Sequence, residues 1–242
     1  MFIVQIAEDV LEQYPEAHVR LVSARHLDNT SQWPVVEHQV SALEAKLSEG
    51  TWQPFTENDL QIASWHDAFR KFGTNPRRSR PSLDALSRRM AKTGEFPRIN
   101  SAVDAYNYVS VLFGTPAGAF DQDLIDGEIC IRFASSGELF TPLGQPEEVE
   151  AVKEGEVVYA DRSRVLTRHW NHRDCDQTKV TKQSRDVLFI SERVSGAAVS
   201  DESMDDAQEV LAKLLAPHAQ GVFKATLSRE SPSALLPKST SV

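Results

Sequence analysis

No run of apolar residues in this 242-residue chain approaches the roughly 18 that a membrane-spanning helix needs. The start, MFIVQIAEDVLEQY, has too short an apolar run and no basic lead for a signal peptide. Only two cysteines occur, Cys130 and Cys175, so there is no disulfide framework, and two ordinary thiols point to a cytosolic protein. The common catalytic signatures are missing: there is no P-loop, GxGxxG, GxSxG or HExxH. Positive charge is also short overall, and a net charge of −9 argues against a protein that coats nucleic acid. Internal repeats are absent. What remains is a chain with 40% hydrophobic and 25% charged residues, long enough to bury a core as one large domain or two small ones.

The charge is unevenly spread. Between Arg70 and Arg98 nine bases (Arg70, Lys71, Arg77, Arg78, Arg80, Arg88, Arg89, Lys92, Arg98) face only Asp84 and Glu95, a local charge of +7 that leaves −16 for the rest. Such a patch on an acidic body steers a polyanion to one place. The alternative is a solvated loop and helix whose arginines pair with acids elsewhere.

Apolar spacing predicts strands at Ile3–Ala7 and Val19–Ser23 and helices at Val35–Glu49 and about Glu57–Arg70. Gly73–Pro81 reads as a loop, with Ser82 as N-cap of a helix Leu83–Lys92 closed by Gly94. Asn100 caps a helix Ser101–Phe113, followed by a small-residue loop from Gly114 to Asp121 that lets a ligand approach the backbone. Strands follow at Glu128–Phe133, Glu156–Ala160, Arg164–Trp170 and Val187–Glu192, then a helix Met204–Ala216 and a strand Gly221–Ser228. The fold class is α+β, with helices dominating the first half and strands the second. The expected organisation is an N-terminal α/β extension (1–60) packed on a core domain (61–217), a C-terminal strand (218–228) and a disordered tail (229–242).

His169, His172 and Cys175, with Asp174 and Asp176 alongside, are metal-ligand types, but no second ligand pair accompanies them and no metal is expected. Asp104 and Asn107 share a helical face with Tyr108 and Val111. If that face is buried, both need hydrogen bonds. Either they tie the helix to the Gly118–Asp121 loop or they line a polar pocket.

The runs PSLDALSRRM, PRINSAVDAYNYVSVLFGTPAGAFD, EICIRFA and GEVVYAD resemble, in order, the B3/B4 domain of the bacterial phenylalanyl-tRNA synthetase β subunit. The resemblance covers roughly Pro81–Glu192, and the flanks FRKFGTNPRRSRPS and RHWNHRDCDQTKVT are similar to freestanding B3/B4 proteins. It implies a B3/B4-like fold of mixed sheets with flanking helices. It also implies hydrolysis of mischarged aminoacyl-tRNA in trans, without a cofactor. By position, Tyr106 and Asn107 fall where the synthetase helix contributes Thr-Asn to its editing pocket. Gly118 falls where the synthetase has a histidine, and Trp170, Asn171 and His172 where it has a Gly-Gly stretch.

On this resemblance Asn107 and Asn171, with backbone amides near Gly118, hold the attacking water and the oxyanion. Asn100, Asp104, Tyr106, Gly118 and Asp121 contribute to the substrate pocket. Arg168 and Arg173 bind the terminal phosphate or the substrate carbonyl. Trp170 either stacks on the terminal adenine or packs in the core. Arg70, Lys71, Arg77, Arg78, Arg80, Arg88, Arg89 and Arg98 hold the tRNA acceptor end. The expected partner is that acceptor end, with neither membrane nor DNA. Two other readings stand beside the deacylase: a non-catalytic RNA-binding module, and a binder or hydrolase of small amino-acid esters.

Overall fold

The computed structural model describes residues 1–237. Among the described residues, twelve strands and six α-helices follow in chain order. The stretch to Thr93 holds β1 (Phe2–Ile6), α1 (Glu8–Gln13), β2 (His18–Arg25), α2 (Pro34–Ser48), α3 (Leu60–Lys71) and α4 (Ser82–Thr93). Then come α5 (Ser101–Phe113), β3 (Ala117–Asp121), β4 (Ile129–Phe133), β5 (Leu139–Phe140), β6 (Glu150–Ala151), β7 (Val157–Ala160), β8 (Val165–Arg168) and β9 (Arg173–Asp174). The chain finishes with β10 (Val187–Arg193), α6 (Asp201–Leu215), β11 (Gly221–Leu227) and β12 (Ser233–Leu236). The α+β class stands, and none of the described helices is long and apolar enough to cross a membrane.

Two sheets lie face to face under a helical layer. One has six strands in the order β12-β1-β4-β7-β8-β9, the other four in the order β11-β2-β10-β3. Alternation along the four-stranded sheet sorts its side chains. Val19, Leu21, Phe120, Leu188 and Ile190 enter the core shared with the six-stranded sheet. Val22, Ala24, Ala119, Val187 and Phe189 enter the core beneath α2, α4, α5 and α6.

The pairing corrects two expectations about organisation. Residues 1–60 are not an extension laid on a core: β1 sits between β4 and β12, and β2 between β10 and β11. Nor is the segment after Arg229 wholly irregular. Phe2 to Gln5 pair antiparallel with Leu236 to Ser233, and Leu236 is buried. The part of the expected tail from 238 to 242 lies outside the described residues.

Local signals account for α5 closely. Asn100 Oδ1 accepts the Val103 N–H at 3.1 Å, and Gly114 ends the helix at φ +70°. The glycine is required there, since a Cβ would meet Gln61 and Phe55 at under 3 Å. The following segment is no loop: Ala117–Asp121 is strand β3, paired antiparallel with Ser191–Val187 of β10. Ser82 is the first residue of α4 and makes no cap; Pro81 holds the N-cap position.

Candidate functional site

At one end of the space between the two sheets lies a cavity of ≈ 60 Å³. Gly118 and Phe120 of β3, with Ile190 and Glu192 of β10, form one wall, and Tyr159 of β7, Thr167 of β8 and Asp174 of β9 the other. The turn Trp170–Arg173 and Ser82 at the head of α4 close the remaining sides. That turn is strained: His169 and Trp170 have φ of +46° and +65°, rare for bulky side chains. Buried Glu156 anchors it, binding Arg168 through Oε1 at 2.9 Å and Oε2 at 3.1 Å and the His169 Nδ1 at 3.0 Å. Burial acts to raise the Glu156 pKa, but the bonds from His169 and Arg168 outweigh it and bring it to about 2.

The cavity holds two carboxyl groups. Glu192 is 3% exposed and accepts three neutral donors: Tyr159 O–H at 2.6 Å and Trp170 Nε1–H at 2.9 Å on Oε2, and Asn171 Nδ2–H at 2.9 Å on Oε1. Burial pushes its pKa up to about 7 against those bonds, helped by the charge of Asp174. Asp174 Oδ1 accepts the Thr167 hydroxyl at 2.6 Å, and burial raises this group to about 6. Gly118 leaves room beside it, for a Cβ there would lie 3.6 Å from Asp174 Oδ2.

His172 lines the same cavity. Its Nδ1 is 2.8 Å from the Arg80 carbonyl oxygen, which only accepts, so Nδ1 carries the hydrogen and Nε2 keeps its lone pair. Burial lowers its pKa below 6.5, so the ring is neutral at pH 7. Of the metal-type residues, His169 is engaged with Glu156, His172 with Arg80 and Cys175 with Thr178 at 3.1 Å.

The residues expected at the site divide. Gly118, Trp170, Asn171 and Arg173 line the cavity. Trp170 is 1% exposed, with edge contacts to Tyr14 and Trp65, so it packs in the core and cannot stack on an adenine. Arg168 is no phosphate ligand: Glu156 and Glu150 occupy its guanidinium. Asn107 lies half-buried on α5 outside the cavity, and Tyr106 packs edge-on against Phe189. Burial, with Asp174 and Asp104 nearby, raises the Tyr106 phenol.

Asp121 accepts the Asp123 N–H and the Ser184 hydroxyl and so holds its own turn. Asn100 and Asp104 line a separate hollow of ≈ 190 Å³ beside Asn29, Arg98 and Lys182. Asp104 ties the approach to its own helix rather than β3, accepting the Ile99 N–H at 2.9 Å. The sequence reading missed Glu192, Tyr159 and Thr167, took Asp174 only as a metal-type residue, and gave His172 no role beyond that type and its place in the stretch that matches the synthetase's Gly-Gly segment. An acid closing the apolar run VLFISE was the one available sign of Glu192.

The basic patch is partly neutralised. Arg80 and Arg88 converge on buried Asp84, Arg88 also on Glu57, Arg98 on Glu37 and Glu44, and Arg70 on Asp67. Lys71 donates to the Gln13 carbonyl. Arg77 is exposed, with Glu57 only at 3.9 Å, while Arg78, Arg89 and Lys92 are exposed and form no ion pair among the described residues. Arg77 and Arg78 stand on the segment that leads into Ser82 at the cavity.

Comparison with known proteins places this geometry. The chain is similar to phenylalanine–tRNA ligase β subunits, being 40% identical to that of Corynebacterium jeikeium over 81 residues, which are 33% of this chain and 9% of that one. With the Corynebacterium glutamicum subunit it shares 28% over 130 residues, 53% of this chain and 15% of that one. The match thus spans a small fraction of these relatives' length. Among solved structures, an N-terminal fragment of the phenylalanyl-tRNA synthetase β subunit from Pyrococcus horikoshii covers 92% of this chain and 53% of its own, at a TM-score of 0.46 and 16% identity. The sequence profile of the B3/4 domain matches residues 64–209, more than half of the chain and the stretch that supplies the whole cavity wall, and the chain belongs to the B3/4 domain family.

Proposed function

We propose that the protein hydrolyses mischarged aminoacyl-tRNA in trans, with the cavity between the sheets receiving the aminoacyl group. One observation carries this reading beyond family membership. His172, Asn171 and two carboxyl groups meet in one small cavity, and the His172 Nε2 lone pair is free of protein partners among the described residues.

An aminoacyl ester is already activated, so a positioned water and a base suffice. His172 Nε2 takes a proton as the water oxygen bonds to the ester carbonyl carbon. Collapse of the tetrahedral intermediate breaks the bond to the ribose oxygen, which leaves with the proton held by His172. Arg173 lines the cavity, but Leu143 O at 3.0 Å and the Gln145 side chain hold its guanidinium, so backbone amides near Gly118 are the donors left for the oxyanion. Arg77, Arg78, Arg89 and Lys92 supply phosphate contacts, which are salt-sensitive and blind to sequence. Such a protein works where charged tRNA is found, in the cytoplasm.

Incubation of the purified protein with a panel of mischarged tRNAs tests the reading. At least one ester is expected to disappear well above its spontaneous rate; folded protein that leaves the whole panel intact would sink the proposal. The modest volume of ≈ 60 Å³ favours a second reading, a module that binds the acceptor end without chemistry. Salt-dependent tRNA binding with no hydrolysis separates the two.

A further inference from the structure

We propose that the cavity recognises a primary ammonium group, the α-amino group of an unblocked aminoacyl ester, through Asp174 Oδ2, Asn171 Oδ1 and Ser82 Oγ, with Glu192 behind them. This rests on the reading that the cavity takes the aminoacyl group.

The cavity is rich in acceptors and poor in donors. Asp174 Oδ1 is committed to Thr167, whereas Oδ2 faces Gly118 and has no hydrogen-bond donor among the described residues. Asn171 is 7% exposed, and its Nδ2 is spent on Glu192 Oε1, which fixes the amide orientation. The atom left over, Asn171 Oδ1, is buried without a protein partner, and so is Ser82 Oγ. A buried acceptor without a donor is costly, and a ligand that brings N–H groups removes that cost. Three acceptors match the three N–H donors of an ammonium.

Charge points the same way. Neither Asp174 nor Glu192 forms an ion pair with Lys or Arg among the described residues, and Glu192 is held by neutral donors alone. Arg173, the cation at the cavity, has its guanidinium turned to Leu143, Gln145 and Glu150. Two carboxyl groups held high by burial share the cavity without a counter-ion, and a bound cation would lower both pKa values and favour their ionised forms.

Reach selects the source of the cation, because the acceptors Asn171 and Asp174 line the cavity next to His172. The α-ammonium is two bonds from the carbonyl carbon, so with that carbon near His172 it reaches the neighbouring Asn171 and Asp174. Gly118 keeps the space beside Oδ2 clear; any side chain there would occupy the position of the ammonium.

The test uses non-hydrolysable 3′-aminoacylamido-3′-deoxyadenosines titrated calorimetrically against the full chain. The alanyl compound with a free amine is expected to bind at least about tenfold tighter than its N-acetyl derivative, the loss expected when a charged donor is removed. The Nα-acetyl-lysyl compound is expected to bind as weakly as N-acetyl-alanyl. Asp174→Asn, checked for an unchanged thermal midpoint, is expected to shrink the gap to under about threefold. Equal binding of the free and acetylated alanyl compounds by the wild-type chain overturns the inference and leaves the hydrolysis proposal standing. Tight binding of Nα-acetyl-lysyl overturns the α-amino assignment. Failure to bind any of the three overturns the inference together with the reading of the cavity.

Discussion

His172 is held by one bond that decides its chemistry. Because Arg80 O accepts from Nδ1, the free lone pair belongs to Nε2, and burial keeps the ring neutral at pH 7. His172→Ala is therefore expected to lower deacylation by about 10²–10⁴-fold, with tRNA affinity and thermal midpoint little changed. The neutral ring is the base, so wild-type kcat/KM should be flat above pH 6.5 and fall as pH drops through the lowered pKa. Retained activity in the variant would remove His172 from the reaction.

Asp104 makes a separate residue-level case. Its pKa is raised from 3.8 to about 6 by burial, against the Ile99 N–H and Arg98. The folded state thus binds more protons than the unfolded state between those values, and stability falls as pH rises from 3.8 to 6. An asparagine still accepts the Ile99 N–H but cannot ionise. Asp104→Asn should be more stable than wild type at pH 8 by about 2 kcal/mol, the two converging near pH 4 in urea denaturation. Greater wild-type stability at pH 8 would mean that attraction from Arg98 outweighs burial.

At the scale of elements, α4 separates two kinds of arginine. Arg80 and Arg88 stand four residues either side of Asp84, which is fully buried and also meets His66 at 3.0 Å. They balance that buried charge, while the Asp84–His66 contact ties the helix to α3. Arg88→Ala should cost about 1–2 kcal/mol in stability. Arg78 and Arg89 have no such duty. Reversing both to Glu should weaken tRNA binding, lower the salt dependence of log K by about one for each arginine that no longer meets a phosphate, and leave the melting curve in place. Equal tRNA binding by that double variant would take the patch out of the interface.

The elements also show what the sequence could reveal. Asn100, the apolar run to Phe113 and Gly114 act within one helix, so α5 was readable end to end. The strand Ala117–Asp121 was not, because Ala117, Gly118 and Ala119 have little β preference and β10 makes them a strand by pairing. The site shows the same contrast. Gly118, Asn171 and Arg173 could be picked out because the family resemblance fixed their order. Glu192, Tyr159 and Thr167 meet through sheet pairing across the sandwich, which leaves no mark on any one segment. Which of its two expected roles Trp170 takes, and where Arg168 ends, is decided by the left-handed turn at His169 and Trp170, which sends one side chain into the core and leaves the other with Glu156.

On the scale of the whole molecule, the two sheets depend on chain segments far apart in sequence. Removing residues 233–242 takes away β12, uncovers the edge of β1 and exposes the apolar surface that Leu236 covers. The loss should be about 3 kcal/mol or more, seen as a lower thermal midpoint, and an unchanged midpoint would show that β12 adds nothing to the sheet. The position of β1 has a further consequence during synthesis. Its Phe2, Val4 and Ile6 are synthesised well before the parallel neighbour that Val4 requires, which begins at Ile129. At roughly 5–20 residues per second that neighbour arrives about 6–25 s later. The nascent chain must travel that interval with a sticky strand uncovered, which makes this short segment the natural handle for a chaperone at the tunnel exit.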